Sequence, residues 1–298
     1  MNGTSGAQAR EARGSAEASL SGAPWGLWRR QTIEVARLEL RKILFSRRAL
    51  LLYLLAAAPP AIFAVVLAAL RIYQPRGFDP LAIGETPLDF AAIYQGLILR
   101  TIVFFGCAWI FMNLFRGEII DRSLHYLFLA PVRREVVVFA KFVAGFLAAG
   151  LCFSFTAAGS MLLLFFTKDA GVVRDYFLTG GGTNQLAAYV GVVWLASAGY
   201  GALFLLLGLI FRNPVLPALA LYGWEAINFL LPPLLKRTSV FYYLKSLLPL
   251  DPPEGAFAFV AEPSSPLASI AGLLLFVVVL LAAAMLRIRR TEIAYGGE

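Results

Sequence analysis

Residues Leu267–Leu286 read LASIAGLLLFVVVLLAAAML, 20 positions without a charge. An α-helix rises ~1.5 Å per residue, so about 20 residues cross the ~30 Å hydrocarbon layer of a bilayer. A helix at the surface of a soluble protein pairs its apolar stripe with a polar face, and this stretch has none. Three further blocks are uncharged: Ala49–Leu70 (22 residues), Phe142–Phe166 (25) and Leu186–Phe211 (26). Two others, Ala91–Phe115 and Val215–Leu235, hold one charge each, Arg100 and Glu225. Composition agrees with this pattern. The chain is 59% hydrophobic and 15% charged, with a mean hydropathy of +0.74, whereas a soluble domain is about half apolar and a quarter charged. The blocks predict an all-α membrane protein with six transmembrane helices, at 49–70, 91–115, 137–166, 186–211, 215–235 and 267–286.

Orientation is read from the basic residues. With both termini cytoplasmic, 18 of the 26 Lys and Arg fall on inner segments and seven on outer ones, while Arg100 lies within a span. This asymmetry follows the positive-inside rule and requires an even number of spans. The net charge of +8 is thereby a topology signal. It suits an anionic inner leaflet of membrane lipids and implies no nucleic acid partner. The first apolar block begins near residue 49, too far in and too long for the apolar region of a cleavable signal peptide.

Residues 1–24 are rich in Gly, Ala and Ser and predict a disordered cytoplasmic tail. An amphipathic helix is expected over 28–48, where Ile33, Ala36, Leu40, Ile43 and Leu44 recur at helical spacing among Arg30, Arg37, Arg41 and Lys42. It reads as lying in the inner interface, with Trp25 and Trp28 at headgroup depth. The membrane domain then covers 25–290, and 291–298 forms a second cytoplasmic tail. Pro59 and Pro60 predict a kink in the first span. An outer segment at about 236–265, bearing Phe241, Tyr242 and Tyr243, reads as a small helical cap.

Most catalytic chemistry lacks its residues. No GxxxxGK[ST] phosphate loop, HExxH or GxSxG occurs, and the chain holds one histidine, His125. A His-based metal site or a Ser-His-Asp triad therefore has little to build on. Leu20-Ser21-Gly22-Ala23 superficially matches a nucleotide-domain signature, but it lies in the tail with no such domain around it. Cys107 and Cys152 sit within spans, form no ligand cluster and read as packing residues.

The connector between the second and third spans is the chemical exception. In Phe115–Arg134, Ile119, Ile120, Leu124, Leu127 and Phe128 share one helical face, and Arg116, Glu118, Asp121, Arg122 and His125 populate the other. Glu118 and Arg122 are an i,i+4 pair in the favourable order. Pro131 ends the helix, and Arg133 and Arg134 open the next element. The plainer reading is a solvated charged loop that obeys the positive-inside rule.

The run EIIDRSLxYLxLAPVRREVxxxAK, within Phe115 to about Gly145, resembles the membrane permeases of type-2 ATP-binding-cassette (ABC) transporters. In that family a Glu/Arg-rich segment, followed by Leu-x-x-Pro and then Arg and Lys, forms the coupling helix that docks on the ATPase. The wider layout, from about Trp25 to Arg290, is similar as well. The resemblance implies a permease subunit of an ATP-driven exporter in the cytoplasmic (cell inner) membrane. It would work with a separate ABC ATPase subunit and a second permease subunit, as a homo- or heterodimer. It assigns ATPase coupling to Arg116, Glu118, Asp121, Arg122, Pro131, Arg133 and Arg134. ATP and Mg would bind the partner ATPase and no cofactor this chain, which would itself be non-catalytic.

Arg100 and Glu225 carry charge inside apolar blocks, where a central charge costs ~3 kcal/mol on insertion scales. Glu225 is expected to face a translocation path or a dimer interface. Arg100 is expected to share that role or to extend its guanidinium toward the outer interface. The competing reading is a stand-alone secondary carrier that uses these two charges as ion sites; a non-catalytic membrane scaffold is a third.

Overall fold

The computed structural model describes residues 24–47, 49–73, 87–120, 133–165, 170–211, 213–227, 232, 235, 238–250 and 265–289, without the side chains of 24, 25, 27, 70, 71, 73 and 116–120. Every element among these residues is helical. In chain order they are α1 (Pro24–Phe45), α2 (Ala49–Tyr73), α3 (Pro87–Ile93), a π-helix (Tyr94–Val103) and α4 (Phe104–Ile120). There follow α5 (Arg134–Phe165), α6 (Ala170–Leu178), α7 (Gly182–Ile210), α8 (Val215–Ala226), α9 (Val240–Lys245) and α10 (Pro266–Arg289). The predicted tails, apart from Pro24, and the connector residues 121–132 lie outside the described residues.

Five stretches are long and apolar enough to cross a membrane: α2, the continuous run Pro87–Phe115, α5, α7 and α10. They mark a multi-pass membrane protein. The sixth expected span, 215–235, is represented by the 12-residue α8, which at ~1.5 Å per residue covers about 18 Å of a ~30 Å layer. The described residues therefore support five spans, one fewer than the hydropathy blocks predict.

The centre of the bundle is α4, α5, α7 and α10, with α2 and α1 laid against α5. Phe111 of α4 is fully buried and fills the gap left by two glycines. A Cβ on Gly145 of α5 or on Gly201 of α7 would stand 2.6 or 2.4 Å from its ring. Small residues at these two positions thus let three helices close on one aromatic side chain. By contrast, only 22% of the apolar window of α2 and 28% of that of α10 is buried, against 61–67% for the other three spans. Their outer faces, such as Leu54 and Val65 on α2 and Leu275 and Val278 on α10, are bare hydrocarbon that water would not tolerate but lipid would.

The helix α2 continues through Pro59 and Pro60. Proline lacks the N–H that would reach four residues back, so Pro60 leaves the carbonyl of Ala56 without its helical donor. Thr156 of α5 supplies one: its Oγ1 donates to Ala56 O at 2.6 Å, in a buried position. Pro60 also rests on Gly159, one turn along α5. Helix breakers in a membrane persist where a neighbouring helix satisfies the freed backbone in this way.

Between α5 and α7 the short helix α6 occupies a stretch that hydropathy reads as a plain outer loop. Its end is held by Thr179 and Gly180 N–H donating to Asp175 O at 2.9 and 2.8 Å. Gly181 then takes φ +80°, a left-handed conformation that glycine enters without a steric penalty, and the chain reverses into α7.

Candidate functional site

At one end of the bundle, α1, α4, α5 and α10 converge beside the two ends of the connector. The organising residue is Lys141, fully buried although charged. Its Nζ donates to Glu39 Oε1 of α1 at 2.8 Å and to Leu114 O of α4 at 3.0 Å, and it lies 5.3 Å from the centre of the Phe115 ring. A buried ammonium is tolerated only when paired and hydrogen-bonded, and here both conditions hold. One side chain thereby joins α1, the helix entering the connector and the helix leaving it.

The local sequence explains why the pair is internal. Ala36, Glu39, Leu40 and Ile43 lie on one stripe of α1, and Ala36 packs on Ala140 and Ala144 of α5. The small side chains at these contacts bring the two helix axes close, which lets Glu39 reach Lys141. Ile33 and Leu38 stay exposed, so α1 presents apolar surface on two sides rather than one.

Three further contacts fix the start of α5. The Arg133 guanidinium sits 4.5 Å over the ring of Trp28, a cation–π contact that ties the end of the connector to α1. Arg134 Nη1 donates to Ile288 O at 3.5 Å. Arg289 Nε pairs with Glu135 Oε1. The last turn of α10 is thus bound to the first turn of α5.

Of the residues expected to couple to an ATPase, Arg133 and Arg134 are described and lie in this cluster. Arg116 and Glu118 fall on the last turn of α4, with side chains not described. Asp121, Arg122 and Pro131 lie outside the described residues. Glu39 was not anticipated as a site residue. Its signal in the sequence is a carboxylate set on the apolar stripe, between Ala36 and Leu40, of a mainly basic helix. The EIIDRS…RREVxxxAK run included Lys141 but without an assigned partner.

Arg100 and Glu225 meet elsewhere, at α9. The Glu225 carboxylate accepts from Ser239 Oγ at 2.5 Å and from Val240 N at 3.2 Å, so an acid of α8 caps the N-terminus of α9, where an anion is favoured. Arg100, inside the π-helix, lays its guanidinium 4.4 Å over the ring of Phe241, and its Nε is buried without a hydrogen-bond partner. Among the described residues the two charges form no ion pair; each instead engages the first turn of α9. A 10-residue π-helix is long for a geometry that usually occurs as a single turn, often at functional sites. Around it, Thr101 Oγ1 and Tyr222 OH are 3.3 Å apart, and Tyr222 packs on Phe104 and Phe105 at 5.3 and 4.8 Å between ring centres.

Among the described residues no group of His, Cys, Asp or Glu is arranged to hold a metal ion. No curated protein and no solved structure matches the chain. Residues 77–216 match the family model described as CcmB protein, so from α3 to the start of α8, connector included, the chain is similar to an ABC-transporter permease family.

Proposed function

We propose that this chain is the membrane permease subunit of an ATP-driven exporter, and that the segment between α4 and α5 transmits the action of a separate ATPase subunit to the bundle. The observation that carries this reading is Lys141. It binds α1, α4 and α5 at one buried point, so a force applied to the connector reaches three helices together. The family similarity supports it, since that family supplies the membrane component of a heme ABC exporter and works with an ATPase partner; heme is the substrate class carried over. In this reading both termini lie on the cytoplasmic side of the cell membrane, which needs the stretch that begins with α8 to complete a sixth crossing, and two permease copies enclose the path. ATP and Mg are bound by the partner.

Charge reversal in the double variant E118R/R122E tests the coupling role. Co-purification with the ATPase and transport-linked ATP hydrolysis are expected to be lost, with the melting temperature of the permease unchanged. Intact binding and hydrolysis in that variant would refute the assignment.

Arg100 and Glu225 border the path where α9 covers it. Glu225→Gln keeps the carbonyl acceptor for Val240 N but removes the charge, so assembly is expected to survive while transport falls at least tenfold. Unchanged transport would leave Glu225 a helix cap alone. The carboxylate of Glu225, buried in the bundle, is the observation that favours a second reading, a carrier driven by an ion gradient. Gradient-driven uptake by the purified chain in vesicles without any ATPase is the result that would select it.

A further inference from the structure

We propose that a cavity at the elbow between α1 and α2 binds the headgroup of an anionic phospholipid from the inner leaflet. The inference rests on the membrane orientation read from the basic residues, and not on the ATPase coupling. The cavity encloses about 250 Å³ where the end of α1, the start of α2 and the inner half of α4 meet. Its lining is divided in kind. Lys42, Ser46, Arg47 and Asn113 form the polar part, while Ile43, Leu52, Ile110 and Leu114 form the apolar part.

Charge gives the sign of the ligand. Glu39 is the single acid of the lining, and Lys141 already balances it at 2.8 Å. Arg47 stands exposed at the elbow and supplies the positive charge, and Lys42 lies beside it on the wall. Each basic residue near an anionic leaflet contributes a favourable interaction with acidic lipid.

Size and surroundings give the rest. Sites that enclose a whole small ligand run to roughly 300–1,000 Å³, so this cavity suits a headgroup and the first carbons of its chains. The remaining hydrocarbon has a place to lie, since Leu50, Leu51 and Leu54 in the first turns of α2 are exposed. Trp109, which lines the cavity and is 38% exposed, is the residue type that settles at headgroup depth. A free phosphate ion satisfies the charge but leaves the apolar wall without a partner.

The full chain is prepared with Trp25, Trp28, Trp194 and Trp224 changed to Phe, leaving Trp109 as the reporter. Phosphatidylglycerol or phosphatidylcholine with brominated chains is then titrated into the protein in detergent. Phosphatidylglycerol is expected to quench Trp109 at a concentration at least tenfold lower. K42Q and R47Q are each expected to weaken that preference on the order of fivefold. Leu52→Phe, which fills the cavity with the charges intact, is expected to remove quenching by phosphatidylglycerol. Equal quenching by the two lipids, or quenching untouched by Leu52→Phe, would overturn the proposal. Inorganic phosphate at millimolar concentration is expected not to displace the lipid, and displacement would identify a free anion as the ligand and overturn it too. Should the four-Phe variant fail to fold, native mass spectrometry of the unaltered chain with the same lipids reads the same preference, with the same outcomes.

Discussion

Lys141 shows how one residue can hold a junction. Its side chain is fully buried and that of Glu39 is 10% exposed, so Lys141 has no water as an alternative partner and Glu39 has little. Breaking such a pair from one side leaves an uncompensated charge and costs about 3 kcal/mol or more, while replacing both sides with apolar groups is far milder. Lys141→Met is therefore expected to lower the unfolding free energy by about 3 kcal/mol, and Glu39→Leu by a similar amount. The double variant E39L/K141M is expected to lose much less than the sum, and thermal unfolding of all four proteins in one detergent measures the difference. Additive losses would show that the two side chains do not depend on each other. The surface pair Glu135–Arg289 is a contrast: Arg289 is 60% exposed, and an exposed pair contributes about 0–1 kcal/mol. The sequence displayed both acids and set Glu39 on the apolar stripe of α1, but nothing in local spacing named its partner. Burial of Glu39 depends on Ala140 and Ala144, about 100 positions away.

At the scale of elements, α2 was legible as a span and Pro60 as a lost donor, but the repair that lets the helix continue through it was not. A proline announces a missing donor wherever it stands; which residue replaces that donor is a matter of packing. Thr156 does so for Ala56, and Thr156→Val is expected to destabilise the bundle by about 1–3 kcal/mol through the carbonyl left buried and unpaired. In a Pro60→Ala background the helix regains its own N–H, and the same substitution is expected to cost under half as much. Equal costs in both backgrounds, read by thermal unfolding, would show that Thr156 matters for some other reason. The π-helix was likewise invisible. Its residues YQGLILRTIV have the composition of any span, and the wider turn arises where Tyr94, Ile98 and Leu99 are all fully buried against neighbours. The helix α6 was missed because nine residues, with Arg174 and Asp175 among them, are too few for hydropathy to register.

For the molecule as a whole, membrane residence was plain from the apolar blocks, and the number of spans was less so. The 215–235 block passes a test of length and apolarity, yet the helix described there ends at Ala226, next to the acid that caps α9. The charge that looked anomalous inside a span thus stands at a helix end, where an anion has a partner. The bare faces of α2 and α10 carry a further expectation. Leu275, 66% exposed near the middle of α10, faces hydrocarbon when the protein is in a bilayer, and an Arg there costs about 3 kcal/mol on insertion scales. Leu275→Arg is expected to reduce the membrane-inserted fraction at least tenfold, scored by reporter fusions on either side of α10. Undiminished insertion would show that this face is turned toward water or toward another polypeptide.

The contact between Thr156 and Ala56 also has a consequence in time. The donor is encoded 100 residues after the acceptor it serves, which at the ~5–20 residues per second of protein synthesis is a delay of about 5–20 s. Throughout that interval the first span exists as a nascent segment with a backbone oxygen that nothing downstream can yet bind. A lipid-exposed group in that state costs several kcal/mol, so the segment is expected to linger beside the water or polar side chains of the insertion machinery. Cross-linking of stalled chains to that machinery, released only once residue 156 has emerged, is the measurable form of the delay. Pro60 thus makes the birth order of the helices part of the protein's architecture.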